Sequence, residues 1–138
     1  MQGHRLREED LTKAFSRLVR CKISQRQSIK WPLDADELFS LLDSYRPLRC
    51  IYNAIAWSIN QKKSVNANGY VKASKVEAEK LSAISQSWEK VVTGERLPIG
   101  TALSLTLHRI TGRKEATTLL NHCGVGITYN DVWDLNNN

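Results

Sequence analysis

Residues 94–135, GERLPIGTALSLTLHRITGRKEATTLLNHCGVGITYNDVWDL, constrain the fold more than any other stretch. A helix over 98–110 carries Ile99, Ala102, Leu103, Leu105, Leu107 and Ile110, and leaves only Ser104, His108 and Arg109 as a thin polar strip. A helix apolar nearly all round is buried on several sides. This predicts an all-α fold with 98–110 as its hub. Pro98 suits the first turn, where its missing N–H costs nothing, and Gly112 ends the helix. Residues 113–123 form the next, with Ala116, Leu119, Leu120 and Cys123 inward. Gly124 and Gly126 bracket Val125 in a tight turn. Thr128 and Asp131 then open a last helix with Val132, Trp133 and Leu135, which reaches barely two turns before three asparagines. So short a helix is marginal alone, and the expectation is a chain that stops before its natural module does.

The preceding segments also repeat with helical period. Over residues 7–22, Leu11, Ala14, Phe15, Leu18 and Val19 share one face, and Lys13, Arg17 and Arg20 form a basic stripe opposite. Glu8, Glu9 and Asp10 occupy the first turn, where carboxylates suit the helix dipole. Residues 24–32, SQRQSIKWP, read as a linker, since Pro32 disfavours helix at Trp31. Asp34 and Glu37 make a capping-box pattern ahead of Leu38, Leu41 and Leu42. After Pro47, a helix over 48–60 aligns Ile51, Tyr52, Ile55, Ala56 and Ile59, with Trp57 off that stripe. Residues 61–70, QKKSVNANGY, are polar and carry an Asn68-Gly69 turn signal. They are expected to be the most mobile internal segment, with at most a stray pairing near 65–71. Ser74 and Glu77 cap the longest helix, which Gly94 stops. Its inward face is predicted as Ala78, Leu81, Ile84, Ser85, Trp88, Val91 and Val92, with Lys80, Gln86, Ser87 and Lys90 turned away. The predicted common core joins Ile55, Leu81, Trp88, Leu103, Leu105, Leu107 and Leu119.

A chain of 138 residues, 41% hydrophobic, suffices for one domain with a core. No apolar run approaches the roughly 20 residues of a bilayer span. The charged N-terminus lacks a secretory h-region. Cys21, Cys50 and Cys123 are sparse, odd in number and without a CxxC pair, which favours reduced thiols in an intracellular protein of nucleus or cytoplasm. The formal charge is +6, and residues 1–30 hold eight basic against three acidic side chains. The near-neutral remainder leaves the positive field at the N-terminal segment. A basic segment on a neutral body suits an anionic partner; a merely solvated helix face has the same composition. The division expected is 1–30 as a basic amphipathic helix and linker, and 31–138 as the helical domain, truncated at its C-terminus.

Three motifs occur in order: IYNAIAW at 51–57, LSAISQS at 81–87 and TGRKEATTLLNHCGVGITYNDV at 111–132. The series resembles the N-terminal part of long, uncharacterised, mobile-element-like animal proteins. There it reads roughly LYNFLAW, LSIAQD, a GR–(L/T)–PK helix start, and TGSK…LLN…G…SY. Residues 94–98, GERLP, stand at the third element. The similarity covers about 47–135. Ser87 stands where an acidic residue usually ends the second motif, and Ile99 where a lysine follows the proline. The family has no assigned activity, so the resemblance implies kinship and truncation rather than chemistry.

No catalytic constellation converges. The histidines and cysteines are His4, His108, His122, Cys21, Cys50 and Cys123. Their one close pair, His122-Cys123, points about 100° apart on a helix and chelates poorly. Metal-hydrolase and P-loop motifs are absent, and Gly124-Val125-Gly126 sits between helices, the wrong context for a dinucleotide fingerprint. A helix–turn–helix reading of 113–135 would present Tyr129, Asn130, Asp131 and Asp134 to DNA. It offers no basic residue and two repelling aspartates, so an ordinary helical corner is preferred.

The sequence therefore predicts a single all-α domain of six or seven helices. Its expected function is that of a noncatalytic module of a mobile-element-type protein, without cofactor or metal. The expected partner is nucleic acid, met weakly through Lys13, Arg17, Arg20, Lys22 and Arg26, with Arg5, Arg7 and Lys30 extending the field. The alternative is a protein-interaction or scaffold domain.

Overall fold

The computed structural model of the protein describes residues 7–124, 126–127 and 131–132. Among them lie six helices: α1 (Glu8–Ser24), α2 (Ala35–Ser44), α3 (Arg49–Ile59), α4 (Lys75–Thr93), α5 (Pro98–Thr111) and α6 (Lys114–His122). The fold is all-α. One isolated antiparallel bridge joins Val65 and Val71, where the stray pairing is expected. The last expected helix lies outside the described residues except for Asp131 and Val132, which are helical.

Local signals set the helix ends. Asp34 accepts the Glu37 N–H at 2.7 Å and Ser74 accepts the Glu77 N–H at 3.2 Å, so each cap satisfies an otherwise orphaned donor. Gly94 ends α4 at φ 73, a left-handed conformation that costs glycine nothing. Pro98 opens α5.

The helices pack in series. α1 lies on α3, α3 on α4 and α4 on α5, and α5 also touches α2 and α6. The apolar core lies between α1, α3 and α4. Val19, Leu48 and Ile51 form one part of it; Tyr52, Ala56, Val71 and Leu81 form the other, and Ile55 bridges the two. The α1 face that reaches this core is Phe15, Val19 and Ile23, at intervals of one helical turn. Leu11, Leu18 and Ala14 are exposed, so the buried stripe is rotated from the predicted one. A single ridge of α1 meets α3, and one ridge holds only residues spaced by four. On α3, Ile59 likewise faces solvent, while the Trp57 indole N–H holds the Lys63 carbonyl at 2.9 Å.

The predicted common core needs correction. α5 touches three helices, as a hub would, but its buried residues are Pro98, Gly100, Thr101 and Ser104. Leu103 is 44% exposed and Ile110 77%. Leu119 and Trp88 are also exposed, and Leu105 and Leu107 are half-buried. Of the expected polar strip, Ser104 is buried and His108 half-buried, while Arg109 is exposed. Small side chains let α6 and the segment after it approach closely. The Ser104 hydroxyl accepts the Ile127 N–H at 3.0 Å, and a Cβ at Gly126 would lie 2.5 Å from that hydroxyl. Close approach, rather than side-chain apolarity, chooses this face.

α4 is rotated in the same sense. Its buried residues are Leu81, Ser85, Gln86 and Glu89, while Ile84, Trp88, Val91 and Val92 face outward. Gln86, predicted to point away, accepts the Ile99 N–H at 3.2 Å and donates to Ser82 at 3.3 Å. α5 has no side-chain cap of its own, so Gln86 supplies the acceptor that its first turn lacks.

Residues 61–70 connect α3 to α4, as expected, but they are tied rather than loose. The Asn66 carboxamide oxygen accepts the N–H groups of Asn68 and Tyr70 at 2.9 and 3.1 Å. Asn53 of α3 donates to the Gly69 carbonyl at 2.9 Å and accepts the Val71 N–H at 2.8 Å. The linker after α1 is likewise fastened. Ser28 donates to Glu95 at 2.9 Å, and the Trp31 indole donates to the Arg96 carbonyl at 3.3 Å.

Candidate nucleic-acid interface

Burying Phe15, Val19 and Ile23 against α3 leaves the Lys13, Arg17 and Arg20 side of α1 in solvent. All three are exposed. Lys13 pairs with Glu9 one turn earlier at 2.8 Å, both side chains being 64% exposed; such a surface pair contributes little and breaks easily. Among the described residues no carboxylate lies within ion-pair distance of Arg17, Arg20 or Lys22.

The five predicted contacts do not form one surface. Lys22 is exposed, but it falls on the opposite flank of α1 from the stripe, because two residues turn a helix by about 200°. Arg26 turns inward. Its guanidinium pairs with Glu89 at 2.5 Å, donates to the Arg46 carbonyl, and stacks over the Tyr45 ring at 4.5 Å. Arg26 is therefore structural, and this corrects its predicted role as a surface contact. A carboxylate already neutralises it.

Glu89 is the missed residue of greatest consequence. It is 2% exposed. Besides Arg26, it accepts the Tyr45 hydroxyl at 2.6 Å and the Leu48 N–H at 2.8 Å. Burial of an ionised carboxylate is tolerated only with such donors around it. The same surroundings push the Tyr45 hydroxyl well above the usual tyrosine range, through burial first and the bond to Glu89 second. Nothing in the sequence separates Glu89 from the solvated charges of α4, since its partners lie on other elements.

The structure also brings Lys22, one of the predicted contacts, together with Arg46 and Arg49, which are not among them. A cleft of about 270 Å³ opens between the end of α1 and the start of α3. Lys22, Arg46 and Arg49 line it, together with Gln25, Cys50, Tyr70 and the Glu89-paired Arg26, and no carboxylate does. Arg49 donates to the Asn68 carbonyl at 3.1 Å, and Arg46 makes a long bond of 3.4 Å to the Asp43 carbonyl. Tyr70 donates to the Pro47 carbonyl at 2.6 Å. Burial raises the Tyr70 hydroxyl above its ordinary value, while Arg26, Arg49 and Arg46 pull against that rise. Burial also raises the Cys50 thiol, opposed by its neighbouring amides and by Lys22. The run Arg46-Pro47-Leu48-Arg49 was a legible signal for this cluster. A proline between two arginines marks a turn that presents both near one place.

The remaining candidates do not converge. His108 is half-buried on α5, His122 and Cys123 are exposed at the end of α6, and His4 lies outside the described residues. Among the described residues no group of three His, Cys, Asp or Glu side chains could hold a metal ion. The Asp131 carboxylate meets Arg96, just ahead of α5, at 3.2 Å. Tyr129, Asn130 and Asp134 lie outside the described residues. Among the described residues no helix is long and apolar enough to cross a membrane. Scans against protein-family models, curated proteins and solved structures find no match to this chain.

Proposed function

We propose that this chain is a noncatalytic helical module that contacts nucleic acid electrostatically through the exposed flank of α1. The carrying observation is that Arg17 and Arg20 stand in solvent with no carboxylate partner among the described residues. Contacts of this kind bind phosphates without reading bases, so affinity should be weak and steeply salt-dependent. The motif series at 51–57, 81–87 and 111–132 supports a place in a longer protein of the mobile-element type. Three free cysteines support an intracellular setting, nucleus or cytoplasm. Binding of a duplex and of a single strand, followed by anisotropy at two salt concentrations, tests the reading. Substituting Lys13, Arg17 and Arg20 together by Gln should abolish most of the binding. No binding to either strand form at low salt, or full affinity in the triple variant, removes it.

A second reading, as a protein-interaction domain, rests on a different observation. Ile84, Trp88, Val91 and Val92 are all exposed and share one face of α4, and Phe15 of α1 meets Trp88 edge-on at 5.9 Å. Exposed apolar clusters mark interaction surfaces. Substituting Trp88 and Val91 by Ser should abolish partner capture under this reading and leave strand binding untouched.

A further inference from the structure

We propose that the cleft between α1 and α3 is a phosphate-binding site, with Lys22, Arg46 and Arg49 as its cationic walls. The site deepens the nucleic-acid reading and rests on it for the source of the phosphate; as a phosphate site it stands on the cleft alone.

Charge balance comes first. Three cations whose charge no neighbouring acid offsets converge on one concavity, and no carboxylate lines it. The nearest buried carboxylate, Glu89, is already committed to Arg26, Tyr45 and Leu48. A concave site lined by one sign of charge concentrates the opposite ion. Both arginines offer planar donor forks suited to phosphate oxygens, and Lys22 supplies a point charge.

The α3 helix adds to this field. Leu48, Arg49 and Cys50 form part of the cleft wall. α3 begins without a side-chain cap of its own and without an acid in its first turn. Glu89, which accepts the Leu48 N–H, offsets part of the positive end of this dipole, so the field of the cleft comes chiefly from its three cationic side chains. Gln25 supplies a neutral donor. Tyr70 does not compete, because its hydroxyl is spent on Pro47 and its ring packs edge-on against Tyr52 at 5.2 Å.

Size limits the ligand. At about 270 Å³ the cleft falls just under the range of pockets that enclose a whole small molecule. It suits one phosphate with the start of its ester arm. Lys22 follows Arg20 by two residues, so a strand held on the stripe reaches the cleft by crossing the last turn of α1.

The test uses Lys22→Gln with Arg46→Gln. Arg46 holds the Arg26 guanidinium through its backbone carbonyl, which the substitution keeps, and both side chains are exposed. Cys50 gives an independent readout at the site. In a background with Cys21→Ser and Cys123→Ser, inorganic phosphate should slow alkylation of Cys50 severalfold, and the double Gln variant should lose that protection. A short thymidine strand should bind the double variant about tenfold more weakly, with the salt slope lower by about one. Phosphate protection without strand binding by the wild type supports the site with free phosphate as its source, and ends the nucleic-acid reading. Strand binding that depends on Lys13, Arg17 and Arg20, with unchanged affinity in the double variant and no protection of Cys50, overturns the cleft and leaves the stripe standing. Neither protection nor strand binding overturns both.

Discussion

The Glu89 carboxylate accepts the backbone N–H of Leu48 at 2.8 Å, across 41 residues of sequence. Leu48 is the N-cap of α3, whose side chain cannot cap it. α4 thus furnishes acceptors to two helices that start without their own, through Glu89 to α3 and through Gln86 to α5. A polar side chain on the buried face of α4 is therefore a consequence of how its neighbours begin.

Removing Glu89 should be among the most damaging single changes. Glu89→Ala strands the Arg26 charge, the Tyr45 hydroxyl and the Leu48 N–H. Breaking a buried pair costs about 3–5 kcal/mol. Glu89→Gln keeps an acceptor and should cost less. Urea midpoints of both variants check this, and a Glu89→Ala loss as small as that of a surface change refutes the network.

Alkaline pH should destabilise the fold through tyrosine. Burial raises the Tyr45, Tyr52 and Tyr70 hydroxyls in the folded chain. The unfolded chain then loses its tyrosine protons first, near the ordinary value of 10.0. Unfolding releases protons above that pH, so the stabilisation is complete below it and declines as pH rises. Urea midpoints measured from about pH 9 to 11 should fall, and Tyr45→Phe should make the fall shallower.

Exposure separates two apolar residues that look alike in sequence. Ile51 is 0% exposed and sits in the core between α1 and α3. Ile51→Ala should cost about 2–5 kcal/mol. Leu103→Ala, on the open side of α5, should stay within about 0.5 kcal/mol. Equal losses in denaturant unfolding would restore α5 as the centre of the core.

The connection between α3 and α4 should loosen when its clamp is removed. Asn53 holds both the Gly69 carbonyl and the Val71 N–H. Asn53→Ala should cost about 1–3 kcal/mol, since it leaves partly buried backbone groups unmatched. Limited trypsin digestion should then cut at Lys62 or Lys63 much faster than in the wild type. Unchanged cleavage would show that the Asn66 bonds hold the segment without Asn53.

The close contact at Gly126 gives a steric test. An alanine there places its Cβ 2.5 Å from Ser104 Oγ and 3.0 Å from Leu120 Cβ. Overpacking of this kind costs about 1–3 kcal/mol. Adding Ser104→Ala should recover part of the loss. Thermal unfolding of the single and double variants measures both effects.

The sequence alone determined the helices and their ends. Asp34 and Ser74 cap, Gly94 and Gly112 stop, and Pro98 starts, because each acts on backbone within one turn of itself. It also placed Lys13, Arg17 and Arg20 together, since their spacing is a property of one helix. Only the tertiary structure decided which way α4 and α5 face. Ile84 and Trp88 on α4 and Leu103 on α5 are as apolar as the residues that are buried. They lie outside because the uncapped starts of α3 and α5 require Glu89 and Gln86, and because Ser104 and Gly126 permit a closer approach than leucine. The same holds for the candidate site. Arg26 turns inward to a carboxylate on another helix, and Lys22 meets Arg46 and Arg49 across a gap of over twenty residues. Such pairings depend on docking angles between distant elements, which no local spacing encodes.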